Sequence, residues 1–237
     1  MSKPFQFKQF TIDQDKCAMK IGTDGVLLGS WTSVDYNPFS VLDIGAGTGV
    51  LSLMLAQRSN AQLIEAIEID ADTYEQCADN FENSPWGDRL FCYHASLLEY
   101  VEEVDDKYDA IICNPPFYSE DYKTKNDARD LARFQDAMPF EHLIYAAAQL
   151  LSTRGLFSVI IPKKEENGFI KLASQVNLFP KRILHVRGDS HSDIKRSLIE
   201  FSFKETKLSI SELIIENGRH NYTDDYTNLT KDFYLKM

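Results

Sequence analysis

The 237-residue chain is short of several things, and each shortage removes a class of protein. Its four cysteines (Cys17, Cys77, Cys92 and Cys113) are scattered, with no Cys-x-x-Cys pair and no histidine at ligand spacing. That excludes a disulfide framework and a zinc site, so no metal is expected, and it fits a reducing cytoplasm. No apolar run approaches the ~20 residues of a bilayer span, and the opening MSKPFQFKQF lacks the apolar stretch of a secretory signal. Positive charge is scarce as well: 25 Lys and Arg face 36 Asp and Glu, for a net charge of −11. A protein that grips any polyanion through bulk charge is thereby excluded, whereas an enzyme with a local basic rim is not. There are no internal repeats and no low-complexity tract.

What is present is a hydrophobic fraction of 43% and an aromatic fraction of 12%, enough for a buried core. Short β-like runs stand at 41–44, 63–68, 90–93, 108–113, 156–161, 183–186 and 197–203. Between the earlier runs the apolar residues recur with helical period, as in Leu51, Met54 and Leu55, or Tyr74, Cys77, Ala78 and Phe81. This alternation predicts a doubly wound α/β sheet, mostly parallel. Only a loop separates the last two runs, which predicts an antiparallel C-terminal hairpin. The expected organisation is a single domain over 1–237: an N-terminal extension (1–39), an α/β core (40–207) and a C-terminal strand and helix (208–237). The strand is expected around Leu213–Ile215, and the helix near Thr223, where a Thr N-cap precedes Asp224 and Asp225.

Asp43, Gly45, Gly47 and Gly49 follow the first core strand and precede a helix. Glycines let the backbone turn sharply and approach a ligand at the carboxyl end of a sheet. Alone, a Gly-x-Gly-x-Gly is also compatible with a plain tight turn. Glu68, 19 residues beyond Gly49 at the end of the next apolar run, supplies a carboxylate that can accept both hydroxyls of a ribose. The pair points to an adenosine-bearing ligand. The loop has no Lys or Arg and no Gly-Lys-Ser/Thr, and Asp43 lies beside it. A pyrophosphate would favour the opposite charge, so S-adenosylmethionine, with its cationic sulfonium, fits better than NAD.

Asn114-Pro115-Pro116-Phe117 comes directly after the run Tyr108–Cys113. An exocyclic amine conjugated to a base or an amide is a poor nucleophile because its lone pair is delocalised. The Asn114 side-chain oxygen and the Pro115 carbonyl can each accept one of its N–H groups, which directs the lone pair at a sulfonium methyl. The prolines restrict the backbone presenting those oxygens, and Phe117 offers a face for a planar substrate. No general base or covalent nucleophile is needed. The alternative is a rigid strand-to-loop turn with a packed aromatic.

With these motifs in place, the sequence resembles the bacterial tRNA1(Val) adenine-N6 methyltransferase family, essentially end to end. The resemblance is carried by 5–10, Cys17–Lys20, Gly22–Gly29, Asn83–Trp86, the Asn-Pro-Pro-Phe site, and the tail from Asn221 to Leu235. It implies a Rossmann-like, seven-stranded class I methyltransferase sheet, S-adenosylmethionine as cofactor, and as target the adenine next to the anticodon of a valine tRNA. It further implies that Thr23 and Asp24 lie near the methionine end of the cofactor, that Asp43, Gly45, Gly47 and Gly49 line its loop, and that Glu68 holds its ribose. Asn114–Phe117 would form the acceptor site, with Asn114 also beside the cofactor. Where such enzymes often carry an Asp contacting the cofactor adenine, this chain has Ser96, whose hydroxyl can still accept a hydrogen bond.

Lys123, Lys125, Arg129 and Arg133 follow the acceptor motif, and Arg129 and Arg133 share a helical face as candidate RNA contacts. Lys163, Lys164, Lys181, Arg182, Lys195 and Arg196 are expected to add to a basic rim around the pocket. Tyr118 is a candidate support for Phe117. The aromatic tail (Tyr222, Tyr226, Phe233, Tyr234) reads as packing, and the histidines receive no role. Methylation of guanine N2 in rRNA or of a protein glutamine amide would use the same acceptor motif. A non-catalytic S-adenosylmethionine- or RNA-binding module and a dehydrogenase are the rivals from other classes. A monomer is the working assumption.

Overall fold

A computed structural model of the chain describes residues 3–116 and 138–237. It opens with a small antiparallel pair, β1 (Phe5–Gln6) and β2 (Thr11–Ile12), followed by α1 (Thr23–Trp31). Strand and helix then alternate: β3 (Ser40–Ile44), α2 (Val50–Arg58), β4 (Leu63–Glu68), α3 (Ala71–Glu82), β5 (Leu90–His94), α4 (Leu97–Glu103) and β6 (Tyr108–Cys113). After 138 come α5 (Phe140–Leu150), β7 (Leu151–Pro162), α6 (Glu166–Gln175), β8 (Phe179–Arg187) and β9 (Arg196–Ser202). β10 (Ser209–Ile214), a two-stranded ribbon of β11 (Glu216–Gly218) and β12 (Asn221–Tyr222), and α7 (Asp224–Thr230) complete the chain.

The main sheet has the order β10-β8-β9-β7-β6-β3-β4-β5. Only β9 runs against its neighbours, pairing antiparallel with both β7 and β8. The mostly parallel α/β architecture with an antiparallel C-terminal hairpin is therefore the one expected. The sheet carries eight strands rather than seven, because β10 adds in parallel to the outer edge of β8 and buries Leu213. It covers backbone groups that the β8 edge would otherwise leave open. Among the described residues, no helix is long and apolar enough to cross a membrane.

Two cores sandwich the sheet. Apolar residues of α1, α2, α3 and α7 fill one face, and those of α4, α5 and α6 the other. Strand alternation decides which face each side chain serves: along β9, Leu198 packs into the first core, Ile199 into the second. The α1 helix presses closely on α2. A Cβ at Gly25 would meet Val50 Cγ1 at 3.4 Å, and one at Gly29 would meet Met54 Sδ at 2.7 Å. Pairs advancing together by four residues mean that the two helices run parallel and begin side by side.

The ends are fastened by the same logic. Thr223 caps α7 as its sequence predicts, its hydroxyl accepting from the Tyr226 N–H at 3.1 Å. The aromatic tail is packing in part: Tyr226 and Phe233 are buried, and Tyr234 forms a bridge with Phe7. Phe7 stacks on Phe10 with centroids 4.6 Å apart, and the Lys8 N–H donates to the Phe233 carbonyl at 2.8 Å.

Candidate active site

Strand register assembles the site. Ile44 is opposite Cys113 on one side and Ile67 on the other, and Glu68 is opposite His94. The next residues out of the sheet, Asn114, Gly45 and Glu68, thus stand in one row along the carboxyl ends of β6, β3 and β4. The chain reverses its direction of travel across the sheet between β3 and β6, the place where open α/β sheets take their ligands.

The glycine loop is held open in this row. Gly45, Gly47 and Gly49 all have left-handed backbone, with φ of 73°, 55° and 78°. At Gly49 a side chain is doubly excluded, since a Cβ would stand 2.5 Å from the Phe81 ring and 3.0 Å from Cys77 Sγ. Gly47 has nothing within 4 Å of that position, so its backbone can be approached closely. The Glu68 carboxylate reaches across to it: Oε2 accepts from the Gly47 N–H at 2.8 Å, and Oε1 from the Ile69 and Asp70 N–H groups at 2.9 and 3.0 Å.

Asp43 is not at the loop surface but fully buried beneath it. Its Oδ2 accepts from the Ser52 N–H at 3.2 Å and the Ser52 hydroxyl at 2.8 Å, tying β3 to the first turn of α2. Its Oδ1 has no hydrogen-bond partner among the described residues. Burial pushes the carboxyl up to about 7, against the lowering effect of the Ser52 bonds.

Beyond Glu68 lies a cleft of about 200 Å³, walled by Ile69, Leu97 and Leu98 and bordered by Gly45, Glu68 and Ser96. No Lys or Arg lines it among the described residues. Ile69 and Leu98 are more than 40% exposed, and large apolar side chains displayed at a cleft suit the face of a purine. Sequence reasoning passed over both, although an apolar residue directly after the strand-end acid was there to be read. It also gave His94 no role. The ring stacks on Tyr74 with centroids 5.5 Å apart and contacts the Ile69 carbonyl through Nε2 at 2.9 Å, which fixes the turn after Glu68.

Ser96 borders the cleft while capping α4. Its hydroxyl accepts from the Glu99 N–H at 3.3 Å, and the Glu99 carboxylate accepts from the Ser96 N–H at 3.2 Å. Thr23 and Asp24 open α1, beside the start of α2; Asp24 accepts from Arg196 Nε at 2.7 Å. Pro115 is buried, while Asn114 and Pro116 are half-buried. Phe117, Tyr118, Lys123, Lys125, Arg129 and Arg133 lie outside the described residues.

The expected basic rim divides in two. Lys163, Lys164, Lys195 and Arg196 stand at the site end of the sheet, where β7 ends and β9 begins. Lys163 is held by Glu166 at 2.6 Å, in a cluster completed by His185 and Ser197. Lys181 and Arg182 start β8 and so stand at the opposite end, which corrects their place in the rim. Arg182 is structural: it lies 3.7 Å over the Trp31 ring and pairs with the buried Glu200.

Residues 26–174 match the family model described as the methyltransferase small domain. A tRNA1(Val) (adenine(37)-N6)-methyltransferase of Flavobacterium johnsoniae is 62% identical, covering 98% of this chain and all of its own. The protein of the same name from Bacteroides fragilis is 44% identical over the whole of both chains. Among solved structures, a predicted O-methyltransferase from Agrobacterium tumefaciens superposes with a TM-score of 0.70 at 20% identity, over 89% of this chain and 96% of that one. A ribosomal protein L11 methylase from Lactobacillus delbrueckii follows with 0.57 at 15% identity, over 81% and 83%. These two establish the fold. By the family model and the near full-length relatives, the chain belongs to the tRNA1(Val) (adenine(37)-N6)-methyltransferase family.

Proposed function

We propose that the protein methylates N6 of an adenine in tRNA, beside the anticodon of a valine tRNA, with S-adenosylmethionine as methyl donor. The observation that carries this reading is the row of Asn114, Gly45 and Glu68 at the carboxyl edge of three adjacent parallel strands. It brings the Asn-Pro-Pro motif into line with the glycine loop and the acid that borders the cleft, which supports an amine acceptor next to an adenosine. The named relatives favour tRNA adenine over guanine N2 or a glutamine amide, which the same motif would accept.

The residues present fit the cofactor. The cleft joins a carboxylate to apolar walls with no Lys or Arg among its described lining, which suits an adenosine and a sulfonium and opposes a pyrophosphate. Glu68 would release its backbone donors to accept the ribose hydroxyls, Ile69 and Leu98 would hold the adenine, and Ser96 would border it. Thr23, Asp24 and Gly45–Gly49 would surround the methionine end, with Asp43 supporting the loop from below. Bound S-adenosylmethionine supplies an electrophilic methyl group on a positively charged sulfur. Asn114 and the Pro115 carbonyl would accept the two N–H groups of the adenine amine and aim its lone pair, while Pro116 stiffens their backbone and Phe117 stacks on the base. The base must leave its stack to enter. Arg129 and Arg133 are the proposed RNA contacts. The whole chain is read as one monomeric cytoplasmic unit.

The test incubates the protein with labelled S-adenosylmethionine and unmodified tRNA and identifies the product nucleoside by mass spectrometry. N6-methyladenosine confined to a valine tRNA is expected. Asn114→Ala should lower turnover by about a hundredfold or more while cofactor affinity stays within about threefold. A product on guanine N2 or on a glutamine amide would overturn the target. Tight cofactor binding with no transfer to any of these acceptors would make the protein a binding module.

A further inference from the structure

The segment between β2 and α1 contributes no element to the sheet, yet it is fastened to α3 by two buried carboxamides. Asn80 and Gln76 lie four residues apart on one face of that helix and are 3% and 4% exposed. Asn80 Oδ1 accepts from the Asp13 N–H at 2.9 Å. Its Nδ2 donates to the Asp13 carbonyl at 2.9 Å and to the Thr48 carbonyl, inside the glycine loop, at 3.0 Å. One side chain therefore joins the N-terminal segment to the cofactor loop. Gln76 Oε1 accepts from the Lys16 N–H at 3.0 Å and the Cys17 thiol at 3.3 Å, and its Nε2 donates to Asp15 Oδ1 at 2.7 Å. The segment then closes on itself, the Ile21 N–H donating to Gln14 Oε1 at 3.0 Å, before it enters α1 at Thr23.

The segment lies against the glycine loop through the Asn80 bonds to Asp13 and Thr48. Burial pushes the Cys17 thiol up to about 11, and the negative field of Glu68 adds to the shift. Neither carboxamide belongs to the cleft lining, and neither has titratable chemistry to offer. Their hydrogen bonds serve to hold 13–17 in one position relative to α3 and Thr48.

We propose that Gln76 and Asn80 are positioning residues for cofactor binding: together they latch the segment after β2 against α3 and the glycine loop, and so hold that loop in its binding shape. The proposal rests on the S-adenosylmethionine reading above. Releasing the latch frees the glycine loop and lowers affinity for the cofactor, although neither carboxamide lines the cleft.

The test is calorimetric titration of S-adenosylmethionine into the full chain, with a thermal melt of each variant. Gln76→Glu sets a second carboxylate against Asp15 and should weaken cofactor binding by about tenfold. Adding Asp15→Asn restores a donor opposite the new carboxylate and should return the affinity to within about threefold of the parent. Asn80→Ala, which loses three bonds at once, should weaken binding by at least about tenfold and raise KM for the cofactor far more than it lowers kcat. Variants that melt at lower temperature but bind S-adenosylmethionine like the parent would reduce both residues to scaffolding and overturn the proposal, as would failure of the paired exchange to restore binding. If the parent itself does not bind S-adenosylmethionine, the functional reading falls and the latch with it. If the parent binds and the single variants bind equally well, only the latch falls.

Discussion

Asp43 on β3 and Glu200 on β9 are both fully buried carboxylates in one sheet, and the chain treats them in opposite ways. Glu200 receives Arg182 through both oxygens at 3.0 Å, and the Ser33 N–H at 3.2 Å. Burial pushes its carboxyl upward, but these bonds outweigh it and hold the group below the ordinary glutamate range. Among the described residues Asp43 receives Ser52 alone, on one oxygen, and is pushed up to about 7. Glu200 stands in the outer half of the sheet, where rigidity is all that is asked and a buried charge is matched by a buried partner. Asp43 lies under the glycine loop with an acceptor left over. Buried acids in one fold are therefore not interchangeable: one is a fastening, the other is a titratable group kept beneath the glycine loop.

The largest effect expected from disturbing this contrast is at Glu200. Glu200→Gln leaves Arg182 without its counter-charge and should cost about 3 kcal/mol, lowering the melting temperature by roughly 10 °C at neutral pH. A loss near zero would make the pair ornamental. The next effect separates Asp43 by pH. Its folded value is raised above the unfolded ~3.9, so its contribution to stability is most favourable at low pH and is lost as pH rises towards and through about 7. Asp43→Asn cannot titrate, so between pH 5 and 7.5 its stability should gain on the parent by about 2 kcal/mol. Parallel unfolding curves across that window would place Asp43 with the paired acids. The smallest effect belongs to Ser96→Ala, which removes the cap of α4 and should cost about 1 kcal/mol, with cofactor affinity changed by less than about threefold. A tenfold loss of affinity at unchanged stability would shift Ser96 from cap to ligand.

Much of this architecture was legible because parallel core strands, buried on both faces, read as short apolar runs between helical patterns. The glycine loop, Glu68 and the Asn-Pro-Pro motif were visible for that reason, and so was the Thr223 cap, whose signal is local. The sequence hid α1, because Val26, Leu27 and Leu28 are buried around nearly the whole helix and the glycines Gly25 and Gly29 flank them. A helix buried on all sides has no polar face to reveal its period. Lys181 and Arg182 were assigned to the wrong end because their charge was visible and the direction of β8 relative to the pocket was not. Ser96 was singled out as a cofactor contact, and its second part as the cap of α4, signalled by Glu99 three residues on, went unread. Ile69 and Leu98 stayed hidden because an exposed apolar side chain acquires meaning only beside the cleft it lines.

The contact between Phe7 and the tail joins segments more than two hundred residues apart in sequence. The Lys8 N–H bonds to the Phe233 carbonyl and Phe7 bridges to Tyr234, while Phe7 also stacks on Phe10, which meets Trp86 edge-on. One aromatic cluster therefore ties the region after α7 to the turn after α3 through the N-terminal segment. Contacts of such long sequence separation cost loop-closure entropy before they form, which makes this cluster a clasp between distant parts of the chain rather than a local unit of structure.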